Sequence, residues 1–331
     1  MCYNGRDSPN KTEALTMSLK TRSSLMLLLA AFIWGTAFVA QSIGMDYIGP
    51  HTFGGIRFMI GSLVLLPLIA WRTRKGQDAT AEIAARTSPR KARRAFITAA
   101  LCCGAALFCG ATLQQMGLTG TDAGKAGFIT ALYIVLVPVL GLAFGRKVTP
   151  IIALSVVLAL VGLFLLCVSG SLTLATTDLY LLACALCFSI HILVIDHFSD
   201  TVDPVRLSSA QFFVSGALSL VCMVIFERPS LADIIACTGP ILYAGVLSSG
   251  VAYTLQVVGQ RHTPPATASL LMSFESVFSV LAGAVVLKET LTLREGTGCV
   301  IMFASVLLSQ LGDIALERIK RRRAQGSARP M

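Results

Sequence analysis

The chain is predicted to be an all-α integral membrane protein with ten transmembrane helices arranged as two inverted five-helix repeats. Its composition, the length of its uncharged stretches and an internal repeat carry that prediction. Of its 331 residues, 55% are hydrophobic and only 13% charged, about half the charged share of a soluble domain. Mean hydropathy is +0.75. A spanning helix needs about 20 mostly apolar residues. Outer-membrane barrels would instead show alternating segments of roughly ten residues, and the sequence has none.

In chain order, residues 1–22 form a polar leader. Its first 20 residues lack periodicity and are expected to be disordered, with Met17 an alternative start. The first span is 23–45. "SSLMLLLAAFIWGTAFVAQ" resembles a signal peptide but is too long for an ordinary apolar core of one. Removing it would also leave an odd number of spans and the wrong charge bias. The second span, 47–71, is broken only by Arg57, and the basic loop 72–94 follows. Uncharged stretches then run 95–121, 126–145, 148–177, 179–195, 207–226, 234–260 and 296–312; 262–287 carries the single charge Glu275. Residues 314–331 form a basic tail. The repeats are bounded at 23–170 and 171–313.

Net charge is +10, yet its distribution argues for topology rather than nucleic acid. With the N-terminus inside, all but five of the 27 Lys and Arg residues fall on one side. The five are Arg228, Lys288 and Arg294 outside, and Arg57 and Lys125 within the membrane. This positive-inside bias puts both termini in the cytoplasm of a multi-pass inner (plasma) membrane protein. The tail "ERIKRRR" suits orientation first and anionic lipid second. Most of the ten cysteines lie in apolar spans, where a thiol behaves as a small hydrophobe. Cys184 and Cys187 have CxxC spacing without a second pair, so no metal or other cofactor is expected.

The repeat appears twice. "PHTFGGIRFMIGSL" (50–63) matches "PVRLSSAQFFVSGA" (204–217), pairing Pro50 with Pro204 and Phe58 with Phe212. "ATLQQMGLTGT" (111–121) matches "YTLQVVGQRHT" (253–263), sharing Thr, Leu, Gln, Gly and Thr in register. The two registers differ by the amount by which loop 72–94 exceeds its counterpart 226–236. Five spans per half is odd, so the second half enters the membrane from the opposite side. Secondary transporters recurrently use that plan, with substrate near the midplane between the halves.

These residues resemble the drug/metabolite transporter superfamily, specifically its EamA family of ten-helix carriers. The resemblance rests on "FIWGTAF" in helix 1, "IRF" in helix 2, "AGKAGFITALYIVLVPVLG" in helix 4 and "SFESVFSVLAGAVVLKE" in helix 9, and covers about 24–312. It implies export of amino acids, metabolites or xenobiotics. Ala37 departs from the pattern, since many relatives carry Asn there, which puts a polar contact from helix 1 in doubt.

Ionisable groups inside a membrane are costly and mark function or pairing. Arg57 lies about 10 Å deep in helix 2 and either snorkels outward or faces the bundle as an anion contact or counter-ion. Its repeat mate is Gln211, which favours the bundle. Lys125 opens helix 4 as an interfacial anchor or as a cation for a carboxylate or phosphate, reinforced by the helix N-terminus. Glu275, near the midplane, either pairs with Arg57 or Lys125, titrates during transport or binds a substrate amine. His191 is a proton relay or a packed, hydrogen-bonded histidine. Trp34, Tyr133 and Tyr253 line a cavity or fill space. Gln114 and Gln256 are matched amides expected to bond between helices. Gly141 and Gly145 are spaced for a close helix contact, and Pro67 and Pro138 are expected to kink their helices.

The four histidines are scattered, and no HExxH, GxSxG, P-loop or dinucleotide fingerprint occurs, which argues against an enzyme. His197, Asp196 and Asp200 read as loop polarity. A channel would show charged or carbonyl-rich filter loops. The expectation is a secondary carrier for a small-molecule substrate, with protons as the candidate coupling ion and membrane lipid as its surroundings.

Overall fold

The computed structural model describes residues 9–121, 123–167, 175–286 and 292–327. Among these residues it is helical throughout, without strands. The helices are α1 (Pro9–Met45), α2 (Pro50–Arg74), α3 (Thr80–Arg86), α4 (Pro89–Leu118), α5 (Ala123–Thr130), α6 (Tyr133–Ala143), α7 (Pro150–Cys167), α8 (Thr176–Phe198) and α9 (Pro204–Phe226). They continue as α10 (Leu231–Ala236), α11 (Thr238–Leu242), a π-helix (Tyr243–Tyr253), α12 (Thr254–Gln260), α13 (Pro265–Met272), α14 (Glu275–Val286) and α15 (Leu293–Ser327). Helix α1 starts at Pro9, so it reaches back into the leader expected to lack structure. Proline opens α2, α4, α7, α9 and α13, where its missing N–H is an orphan in any helix. Asp203 caps α9 by accepting from the Val205 and Arg206 amides, both at 3.0 Å.

Nine helices among the described residues are long and apolar enough to cross a membrane. The apolar stretch 296–312 lies inside α15, which packs along α7. Large apolar side chains such as Leu63, Phe144, Val224 and Phe226 point outward, while Ser208, Gln211, Ser248 and Gln256 are buried. That inside-out distribution fits a hydrocarbon solvent, where polar groups must find partners within the protein.

Packing fixes helix directions. Gly55 lies against Leu220, Gly216 against Met59, and the Ser62 hydroxyl donates to the Ser209 carbonyl at 3.0 Å. Numbers rise on α2 as they fall on α9, so the two are antiparallel. The repeat-matched rings of Phe58 and Phe212 stack between them, 6.2 Å apart and 14° from parallel. Gly162 and Gly298 join α7 to α15 in the same sense. A Cβ on Gly162 would come within 2.9 Å of the Gly298 carbonyl and of Met302, and one on Gly298 within 2.8 Å of the Leu166 nitrogen. Each Cβ would tilt toward its own N-terminus and meet the residue four positions later on the partner, which requires opposed directions. Gly141 and Gly145 do not make the expected helix contact. Gly145 has φ +74° with open space around it and ends α6 as a left-handed turn.

Two spans are interrupted near their middles. The fourth breaks between Thr130 and Tyr133, the ninth between Met272 and Glu275. In the register that matches 111–121 to 253–263, Tyr133 and Glu275 are counterparts, so the breaks coincide.

Candidate functional site

A cavity of about 40 Å³ opens where the broken spans meet α1, α2, α8 and the π-helix. Each joint contributes the first residue of its second half-helix. The Tyr133 hydroxyl donates to Glu275 Oε1 at 3.0 Å, linking the two joints directly. Glu275 also sits in the first turn of α14, where the helix dipole favours a carboxylate. Gly35 permits this arrangement: a Cβ there would lie 2.6 Å from the Glu275 carbonyl and 2.7 Å from Phe278 Cβ. The neighbouring Trp34 turns into the cavity, donates from Nε1 to the Ser248 carbonyl at 3.3 Å and packs edge-on to Tyr253 at 4.7 Å. A π-helix supplies that carbonyl, and such distortions commonly mark functional sites.

Arg57 is fully buried, with 1% exposure, so it does not snorkel. Its Nη1 donates to Gln41 Oε1 at 2.6 Å, and its guanidinium lies 4.6 Å from the Phe58 ring centroid. Its Nε has no partner among the described residues. The Gln41 amide donates back to the Ala37 carbonyl at 3.4 Å. Thus the polar contact missing at Ala37 is supplied one turn later, by a residue the sequence reading did not single out. Arg57 and Glu275 share the cavity but are held by different neutral side chains, Gln41 and Tyr133. The expected pairing of Glu275 with Arg57 or Lys125 is replaced by the Tyr133 bond.

Six expected residues line the cavity: Trp34, Arg57, Tyr133, His191, Tyr253 and Glu275. Gln211 sits behind them, its Oε1 2.9 Å from His191 Nε2, so it orients the imidazole from outside the cavity. Lys125 is elsewhere. It pairs with Asp178 at 2.6 Å, a carboxylate that also accepts from Thr121 at 3.1 Å and from the Ala175 amide at 2.8 Å. In the sequence Asp178 only separates two uncharged stretches, and only folding brings it to Lys125. Gln114 and Gln256 line the cavity instead of bonding between helices, and Gln256 Oε1 has no partner among the described residues. Phe38, Thr130, Phe188, Ile192, Ser248 and Met272 also line it; none carried a sequence signal beyond its place in an apolar run. No group of His, Cys, Asp and Glu suited to a metal occurs among the described residues.

A buried polar cavity at the joints of broken helices, inside a multi-pass helical membrane protein, is the arrangement of a membrane transporter. The EamA-like transporter family matches residues 21–168 and 175–311, and the chain belongs to it and so to the drug/metabolite transporter superfamily. It is 30% identical over 295 residues to an "uncharacterized transporter" of Archaeoglobus fulgidus, covering 87% of this chain and 86% of that one. It is 20% identical over 291 residues to "uncharacterized transporter YoaV" of Bacillus subtilis, covering 86% and 95%. A solved structure described only as "crystal structure of protein" has TM-score 0.69 at 19% identity, covering 90% of this chain and 99% of that chain, which shows a shared fold.

Proposed function

We propose that the protein is a secondary carrier that exports a small organic solute by alternating access between two inverted five-helix halves. Ten spans, with α15 as the last, put both termini and the 72–94 loop in the cytoplasm. The solute is zwitterionic or amphipathic, taking its anionic group to Arg57 and its cationic group to Glu275. The carrying observation is that these two charges share one buried cavity without neutralising each other.

The inverted arrangement is supported by the antiparallel α2–α9 and α7–α15 pairs. The lining supports it too, because Trp34 and Phe188, Phe38 and Ile192, Gln114 and Gln256, Thr130 and Met272, and Tyr133 and Glu275 are counterparts that face one hollow. Two similar halves exchanging shapes alternate access at little energetic cost. The sequence has no ATP-binding motif, which leaves secondary or facilitated transport, and Glu275 is the proton site of the secondary form. Flux of radiolabelled amino acids into proteoliposomes, with and without an imposed pH gradient, tests this. Glu275→Gln is expected to reduce gradient-driven flux to background while insertion and thermal unfolding stay near wild type. Gradient-independent flux, unchanged by the substitution, would remove the coupling role.

A further inference from the structure

A second, larger hollow of about 490 Å³ lies below the first, at the end proposed to face the cytoplasm. Four helices relate the two. Helix α6 gives Tyr133 to the central cavity and Val137 to the lower chamber; α8 gives Ile192 and Asp196; α12 gives Gln256 and Gln260. On α13, which runs the other way, Met272 is above and Ala266 below. The steps are about one helical turn on α6, α8 and α12 and nearly two on α13, roughly 6–9 Å, so the chamber lies beneath the cavity, separated from it by a thin floor. Gln260 and Ile192 form part of that floor, the Gln260 Nε2 donating to the Ile192 carbonyl at 3.2 Å.

Charge distinguishes the chamber. Lys20, Arg146, Lys147, Arg261 and His262 line it, against one carboxylate, Asp196. Arg146 and Asp196 form an ion pair. Lys147 and Arg261 have no side-chain partner among the described residues, which leaves the chamber net positive. Positive-inside topology alone accounts for basic residues at this end, but not for their lining a concavity. The repeat counterparts of Arg261, His262 and Lys147 at the opposite end are Thr119, Gly120 and Glu289, while Arg146 matches Lys288, so most of the basic cluster belongs to one end. Gln260 adds a second requirement. It is 2% exposed and its Oε1 has no partner, while the Ile192 carbonyl fixes which end of the amide donates. A buried acceptor without a partner is costly, and a donor in the chamber would relieve it.

From this geometry we infer that the chamber is a cytoplasmic loading site for organic anions that carry a carboxylate or phosphate together with a hydroxyl or ammonium donor. Lys147 and Arg261 take the anion and Gln260 Oε1 accepts from the donor. The inference rests on the carrier reading for its orientation, but its site is separate from the central cavity. Cations focused in a concavity raise the local concentration of anions, which favours entry from this side.

Binding of gluconate and of inorganic phosphate to the full-length protein, measured calorimetrically in nanodiscs of neutral phosphatidylcholine, tests it without requiring transport. Gluconate is expected to bind, weakening with added salt and about tenfold in Lys147→Ala/Arg261→Ala, a loss of roughly 1.4 kcal/mol. Gln260→Leu is expected to narrow the preference for gluconate over propionate. Three results would overturn the proposal: no binding of either anion, equal affinity in wild type and the double variant, or displacement of gluconate by phosphatidylglycerol in the disc, which would make a lipid headgroup the occupant. Failure here with intact amino-acid flux removes the chamber alone; binding here without flux removes the carrier reading alone.

Discussion

The two ends of the bundle follow one backbone plan and close differently. At the end carrying Lys125, a fully buried carboxylate, Asp178, ties the start of α5 to the start of α8. At the basic end the repeat counterparts of Asp178 and Lys125 are Ser24 and Thr267, both neutral, and Ser24 makes only a 3.3 Å hydrogen bond to Gln310. The basic end has its ion pairs elsewhere, with Arg146 on Asp196 in the chamber and two more beside the 72–94 loop. Arg72 meets Asp203 at 3.1 Å, and Arg206 meets Asp78 at 2.5 Å with 35% of its side chain exposed. The Arg72–Asp203 pair is as desolvated as Lys125–Asp178, with side chains 21% and 1% exposed against 25% and 0%, so the ends differ in placement. The Lys125 pair joins the starts of α5 and α8, whereas the Arg72 pair joins the end of α2 to the start of α9, beside a basic chamber.

The largest effect expected on this contrast comes from Lys125→Met. It strands Asp178 without its cation and is expected to cost about 2 kcal/mol. That is below the range for fully buried pairs, because a quarter of the Lys125 side chain is exposed. Thermal unfolding in detergent measures it, and Lys125→Met/Asp178→Asn is expected to recover most of the loss. Equal stability of the single variant and wild type would break the contrast between the ends.

A smaller effect is expected at the centre. Tyr133→Phe removes the bond between the joints of the two broken spans, worth about 1 kcal/mol. Flux is expected to fall several-fold with insertion unchanged, and its pH profile to shift relative to wild type. An unaltered profile would mean that the two joints act independently.

The smallest effect belongs to the basic-end loop. Burial pushes the Asp78 carboxyl up, but hydrogen bonds from Thr80, Arg206 and Thr73 outweigh it and hold the group below the usual carboxylate range. A depressed folded value means the stabilisation is present above the ordinary carboxylate pKa and disappears as pH falls through the folded value. Screening keeps it slight. Hydrogen exchange in residues 72–80 is expected to quicken in Asp78→Asn near neutrality and to match wild type in strong acid.

Some of this was legible residue by residue. Uncharged length marked the spans, and Arg57 and Glu275 stood out because little else in those stretches is charged. Tyr133, Trp34 and His191 were visible as polar or aromatic breaks in apolar runs. The helix breaks at 131–132 and 273–274 were not, because "TALY" and "MSFE" contain neither proline nor glycine. Gln41 was overshadowed by the departure at Ala37, since one turn of offset on the same helix face cannot be judged without the partner. Asp178 looked like punctuation until α5 and α8 came together.

By itself, then, the sequence determined the solvent and the periodic plan: which stretches belong in hydrocarbon and which two halves resemble each other. Those properties follow from transfer free energies that accumulate locally along the chain. Tertiary structure alone decided that Arg57 leans on Gln41, Glu275 on Tyr133 and Lys125 on Asp178, and that a basic hollow sits beneath the polar one. A buried charge takes whichever partner lies within about 3 Å, and that distance is set by how distant helices pack.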